Sequence, residues 1–280
     1  MNGVSAATPW VLLRGLTRER RHWGVFPQTF SAAMPGARVI ALDLPGNGAL
    51  HREPSPWRVE TMAGHCRRQL QGLGVPPPYR VLAMSLGAMV ATCWAASHPD
   101  EINAAVLINT SLRPFSPFHH RLRPRNCASL LRLMLTHPVD EDWERAVLRL
   151  TSRTPQRHAG VVDAWAAYRR ECPVTRGNAL RQLWAAARWC APVARPAVPL
   201  LLLTSAADGL VDTRCSLRLA QRWQCGIATH PWAGHDLPLD DGPWVAAQVH
   251  DWLARASGGR PCEQVAPYSP PANRAPGTHP

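Results

Sequence analysis

Arg80-Val81-Leu82-Ala83-Met84-Ser85-Leu86-Gly87-Ala88-Met89-Val90 is the stretch that decides how the rest of the chain is read. Arg80–Met84 is a short apolar run of the length of a buried strand. From Leu86 to Ser97 small and apolar residues continue as a helical pattern. Ser85 stands at the joint. A strand that turns at once into a helix forces one residue into a sharp bend. Small residues at Ala83 and Gly87 let backbone pass close to backbone there. Such a bend lifts the serine hydroxyl above the sheet edge, at the amino end of the helix.

A serine hydroxyl is a weak nucleophile unless a base takes its proton and an acid orients that base. Downstream, Val198–Thr204 reads as a buried strand and runs into Ser205-Ala206-Ala207-Asp208-Gly209. Gly226–His230 is a further strand candidate and precedes Ala233-Gly234-His235-Asp236. His235 is therefore the candidate base, with His230, at the end of its strand, as the rival. Asp208 is the candidate orienting acid, with Asp212 as the rival. Asn109-Thr110-Ser111, after an earlier strand, offers no carboxylate. Asp43 is assigned a structural role in its turn, and Asp236 a solvent-facing or loop-bonding one.

Two further segments complete the pattern. Pro9-Trp10-Val11-Leu12-Leu13-Arg14-Gly15-Leu16 reads as a strand leading into a glycine loop, with Trp23 beyond it. Asp43-Leu44-Pro45-Gly46-Asn47-Gly48 reads as a D-x-P-G-x-G turn. Together with the order Ser85, Asp208, His235, these segments make residues 9 to 255 resemble the α/β-hydrolase superfamily. The resemblance implies a mostly parallel sheet of about six strands flanked by helices, and an inserted helical cap. It implies Ser85, Asp208 and His235 as the triad, and the amides of Leu16 and Leu86 as the oxyanion hole. Three positions depart from the family pattern. Arg14 stands where histidine is usual, Asn47 replaces another histidine, and Ala83 replaces the first glycine of the serine turn. Arg14 is read either as a cation near the substrate entrance or as a residue bonding loop carbonyls.

Strands are expected at Trp10–Arg14, Ala37–Asp43, Arg80–Met84, Ala104–Asn109, Val198–Thr204 and Gly226–His230. Helices are expected at Thr29–Ala33, Val59–Leu73, Leu86–Ser97, Thr213–Trp223 and Pro243–Ala254. Strand and helix in alternation argue for a parallel sheet. Residues 112–195 break the alternation with four helical patterns: Ala128–Leu135, Glu141–Thr151, His158–Arg169 and Arg176–Trp189. This divides the chain into a core at 1–111, a cap at 112–195, the second part of the core at 196–256 and a disordered proline-rich tail at 257–280. Trp143, Trp165, Tyr168, Trp184 and Trp189 are read as cap core, with one or two as candidates to line an acyl pocket. No antiparallel hairpin is expected before Trp10.

Composition sets the bounds. The chain has 280 residues and a net charge of +12, and its 31 basic residues are all arginine. They are spread along the sequence, with no basic stripe and no nucleic-acid-binding module, so nucleic acid is not the expected partner. There is no apolar run long enough to span a membrane. The first residues lack the basic and apolar regions of a signal peptide. The eight cysteines fall in no C-x-x-C pair and outline neither a zinc site nor a disulfide scaffold. A cytoplasmic protein without metal or organic cofactor is expected. Two basic clusters, Arg18/Arg20/Arg21/His22 and His119/His120/Arg121/Arg123/Arg125, are read as solvated arginines or as a surface for an acidic or carrier-linked substrate. The expected chemistry is cleavage of an ester or thioester through an acyl-enzyme on Ser85. The alternatives are amide or C–C bond hydrolysis on the same triad, or a silent ligand-binding protein on this fold.

Overall fold

Six apolar segments pair into one sheet: β1 (Trp10–Leu13), β2 (Val39–Leu42), β3 (Tyr79–Met84), β4 (Ile102–Ile108), β5 (Leu200–Ser205) and β6 (Gly226–His230). The computed structural model describes residues 8–136 and 139–257. The strand order is β2-β1-β3-β4-β5-β6, and every pairing is parallel. Parallel strands carry helices on both faces, so their apolar runs are nearly unbroken.

Successive residues of a strand point to opposite faces, and the two cores follow that period. Trp10, Leu12, Leu82, Met84, Val106, Ile108, Leu201 and Leu203 face one side. There they meet α1 (Phe26–Ala33) and α10 (Leu237–Ser257) through Phe26, Phe30, Val249 and Trp252. Val11, Leu13, Val81, Ala83, Ala105, Leu107, Leu200 and Leu202 face the other side. They pack on α2 (Val59–Gly72), α3 (Leu86–Ser97) and α9 (Arg214–Trp223) through Met62, Leu70, Trp94 and Trp223.

Between β4 and β5 lie α4 (Phe118–Arg121), α5 (Cys127–Thr136), α6 (Asp140–Thr151), α7 (Val161–Glu171) and α8 (Arg176–Arg188). α6 and α7 share a small core of Leu148, Val162 and Trp165. Ala185 of α8 and the following Trp189 join the main core.

Helix ends differ from the sequence expectation where proline intervenes. α1 starts at Phe26 rather than Thr29, with Pro27 in its first turn, where a missing amide costs nothing. The helix expected at Pro243–Ala254 is part of the longer α10, which bends at Asp241 (φ −153°, ψ 73°) just before Gly242-Pro243. α4 was not foreseen; a single turn has no periodicity to read. The residues expected as a proline-rich tail lie, from 258 on, outside the described residues, as do residues 1–7. Among the described residues the sheet begins at Trp10, and no helix is long and apolar enough to cross a membrane.

Because all six strands run the same way, the loops leaving β1, β3, β5 and β6 emerge at one edge of the sheet. Those are the loops that carry Leu16, Ser85, Asp208 and His235.

Candidate active site

Ser85 has φ +54° and ψ −117°, a region that side chains rarely occupy and that costs on the order of 1–3 kcal/mol. Its amide donates to Ile108 O of β4 (3.0 Å) and its carbonyl accepts from Ala88 N (3.0 Å). The bend needs its small neighbours. A Cβ on Gly87 would lie 2.5 Å from Leu13 O and 2.6 Å from Arg14 O. A Cβ on Gly15 would lie 3.1 Å from Ser85 Cβ. Ala83, fully buried within β3, fits where the family pattern has glycine. The loop after β1 thus lies directly against the serine turn. Among the described residues the amides of Leu16 and Leu86 have no hydrogen-bond partner within 3.5 Å.

His235 is buried, and its Nδ1 lies 2.7 Å from Asp208 Oδ2. Asp208 Oδ1 accepts from the amides of Leu210 (2.8 Å) and Val211 (3.0 Å), which fixes the carboxylate. Nδ1 carries the proton in this contact, so Nε2 is left as the basic nitrogen. Burial pulls the imidazole pKa down. The charge and hydrogen bond of Asp208, helped by Asp236 and opposed by Arg14, outweigh it and leave the pKa above the ordinary histidine value. The rivals are engaged elsewhere. Asp212 is bonded by Arg214 (2.8 and 2.9 Å) and faces Arg123 (3.5 Å). The hydrogen bond from Arg214 holds its carboxyl well below the usual range. His230 bonds Asp241 (3.1 Å) and makes edge contacts with the rings of Trp232 and Trp244.

Asn109 joins the parts. It sits at φ +45°, a conformation asparagine tolerates. Its Nδ2 donates to His235 O (2.8 Å), Gly234 O (3.2 Å) and Ser205 Oγ (3.1 Å), and its Oδ1 accepts from Ser205 N (2.9 Å). The residue before it holds the Ser85 amide. Serine turn and histidine loop therefore hang from one corner of β4. No hydrogen bond joins Ser85 Oγ to His235 Nε2 within 3.5 Å among the described residues. Contacts of this kind tighten when substrate arrives.

In the sequence Asn109 stands out only for the carboxylate it lacks, and the end of α6 carries no signal of its place in the site. Thr151 O accepts from Asp236 N (2.8 Å), and Arg153 Nε donates to Ala207 O (2.5 Å), next to Asp208. Asp240 accepts from Gly234 N (2.7 Å), Ser152 Oγ (2.5 Å) and Arg153 N (3.0 Å). The end of α6 thus grips both the acid loop and the histidine loop.

The Arg14 side chain bonds a carboxylate rather than loop carbonyls. It is 3 % exposed and makes a two-point contact with Asp236, Nη1 to Oδ1 at 3.0 Å and Nη2 to Oδ2 at 2.6 Å. Asp236 is equally buried, so it does not face solvent. Asn47 has taken a bridging role, donating to Arg18 O (3.0 Å) and accepting from Gln182 of α8 (2.8 Å). Asp43 is structural, accepting from the amides of Arg20 (2.7 Å) and Ala49 (3.0 Å).

The first basic cluster is largely consumed inside the molecule. Arg18 pairs with Glu144 of α6 (2.6 Å) and lies over the Trp165 ring. Arg21 pairs with Glu19 and Glu171 and lies over Tyr168. In the second cluster, Arg121 donates to the carbonyls of Ala186 and Ala187 at the end of α8, and Arg123 faces Asp212. His119 and Arg125 remain exposed. Trp165 and Trp189 are buried, Trp143 stacks with Arg169, and Trp184 is half exposed beside Trp57.

The geometry has counterparts among known proteins. A family model described as alpha/beta hydrolase fold matches residues 9–230. Over 95 residues the chain is 34 % identical to a pimeloyl-[acyl-carrier protein] methyl ester esterase of Chromobacterium violaceum. That alignment spans 33 % of this chain and 34 % of the relative. Over 102 residues it is 31 % identical to the biotin biosynthesis bifunctional protein BioHC of Teredinibacter turnerae, spanning 36 % of this chain and 17 % of that one. The chain thus covers about a third or less of these curated relatives. Among solved structures, a thermophilic esterase from Thermogutta terrifontis superposes with a TM-score of 0.70 at 20 % identity, over 89 % of this chain and 90 % of that one. The enol-lactonase of Burkholderia xenovorans gives 0.72 at 18 % identity, over 89 % and 92 %. At such identities the likeness concerns the fold. The parallel sheet, the strained serine turn and a family match over most of the chain agree: this protein belongs to the alpha/beta hydrolase fold family.

Proposed function

We propose that this protein is a serine hydrolase that cleaves a carboxylic ester or thioester through an acyl-enzyme on Ser85. The observation that carries the reading is the buried 2.7 Å contact of Asp208 with His235, on the loop that Asn109 ties to the corner holding the strained Ser85. In this reading Nε2 of His235 takes the Ser85 proton as Oγ attacks the acyl carbon. The tetrahedral oxyanion is met by the amides of Leu16 and Leu86. The protonated imidazole then gives its proton to the leaving alkoxide or thiolate, and the acyl group stays on Ser85. Water, deprotonated by the same Nε2, releases the acid. Asp208 stays ionised throughout and keeps the imidazole in the productive tautomer.

Residues 112–195 are assigned as the cap over this site, with 1–111 and 196–256 as the core. The contacts of α6 and α8 with the loops around Ser85 and His235 support that division. The named relative from Chromobacterium acts on a methyl ester of a carrier-bound acyl group, so an acyl chain, free or carrier-linked, is the substrate class to try first. A cytoplasmic location fits such a substrate.

The test is a series of p-nitrophenyl esters and acyl thioesters of rising chain length, run beside labelling with a fluorophosphonate. Labelling should map to Ser85 and vanish in Ser85→Ala, and His235→Ala should nearly abolish it. Folded protein that neither labels nor turns over any short ester would favour a silent binding protein.

A further inference from the structure

We propose that Arg14 and Asp236 are positioning residues whose buried pair locks the loop after β1 onto the loop that carries His235. The inference rests on the hydrolase reading above and adds two residues to it.

Arg14 touches all three segments of the site. Its carbonyl packs against Gly87, two residues after the serine, at a distance no side chain at 87 would allow. Its Nη1 lies 3.6 Å from Sδ of Met84, the residue before the serine. Both guanidinium ends reach Asp236, the residue after His235. The next residue on its own side, Gly15, lies beside the serine, and Leu16 after it carries the candidate oxyanion amide. A displacement of Arg14 would therefore move oxyanion loop, serine turn and imidazole relative to one another.

The pair is a poor choice for stability alone. Buried ion pairs replaced by apolar residues are often neutral or stabilising, and among the described residues Arg14 Nε has no hydrogen-bond partner. What the pair supplies is direction. Two parallel N–H···O contacts fix both distance and angle, while Trp23 backs the guanidinium at 4.8 Å. It also balances charge at the imidazole. His235 faces Asp208, Asp236 and Arg14; Asp236 faces Arg14, Arg18 and His235; Arg18 is in turn held by Glu144 and His22. Asp236 raises the affinity of His235 for its proton and Arg14 lowers it.

Opposite signs make the test sharp. His235 is titrated by NMR through its imidazole Cε1–H in wild type, Asp236→Asn and Arg14→Met, and ester kinetics are measured in parallel. Asp236→Asn should lower the His235 pKa and Arg14→Met should raise it, with kcat down about a hundredfold in both, the order expected of a misplacement near 1 Å, and KM for a neutral ester little changed. Arg14→Lys keeps the charge but loses the two-point contact; it should leave the titration near wild type and still lose kcat. If a single variant does not fold, Arg14→Met/Asp236→Leu removes both charges and should fold, with kcat still reduced. Shifts of the same sign in the two single variants, or unchanged kcat in the double variant, would overturn the proposal. Fluorophosphonate labelling of the wild type judges the hydrolase reading separately. A wild type that does not label defeats that reading, while the NMR titration still decides whether the pair governs His235.

Discussion

At the scale of single residues, Ser85 pays for its position in backbone strain. Its φ of +54° is the kind of angle glycine adopts freely. Ser85→Gly should therefore be more stable than Ser85→Ala by about 1–3 kcal/mol, read from urea denaturation of the two variants. Equal stabilities would mean that the turn is not strained. His235 makes a second expectation with a definite sign. Its pKa is raised, and only the neutral imidazole can take the serine proton. Ester turnover should then climb with pH to a half-maximum above about 6.5, the unperturbed histidine value, as read from a pH–kcat/KM profile. Asp208→Asn removes the anion that supports the protonated form. The limb should move to lower pH while the rate falls roughly ten-thousandfold, the loss expected when the tautomer is no longer held.

At the scale of elements, α6 and α8 reach the loops of the site both from mid-helix, through Glu144 and Gln182, and from the end of α6. The end of α6 grips the histidine loop through Asp240, Ser152 and Arg153. Asp240→Ala would leave the Gly234 amide without its carboxylate, a loss of about 1–3 kcal/mol for a buried donor. Turnover should fall with stability, whereas a melting temperature equal to wild type would show that the grip is idle. Arg121 and Arg123 act likewise as struts, on the end of α8 and on Asp212. Substituting them should weaken turnover of neutral and carrier-linked esters alike. A selective loss on the carrier-linked substrate would restore the reading of these residues as a docking surface.

At the scale of the whole molecule, the chain carries a net charge of +12, while Arg14, Arg18 and Arg21 are paired internally. Long-range steering is then the remaining electrostatic effect. Raising ionic strength well above 0.1 M, where screening acts over about 10 Å, should lower kcat/KM for an anionic ester and leave that for a neutral ester unchanged. Stopped assays at graded salt would show it. The six strands were legible as apolar runs, and the parallel layout as the alternation of those runs with helical patterns, because a parallel strand pair needs a crossover between its members. That Ser85, Asp208 and His235 each follow such a run was equally legible, since short loops must begin where strands end. The sequence did not show that Arg14 meets Asp236, 222 positions away, or that Asn109 ties the histidine loop to the serine corner. Nor did it show that the first basic cluster is spent largely on Glu19, Glu144 and Glu171. A charge read along a chain has no partner until the fold brings one within a few ångströms. Local periodicity therefore determined the sheet and the order of its loops, and only the packing of those loops at one sheet edge decided which charges are neutralised and which groups meet.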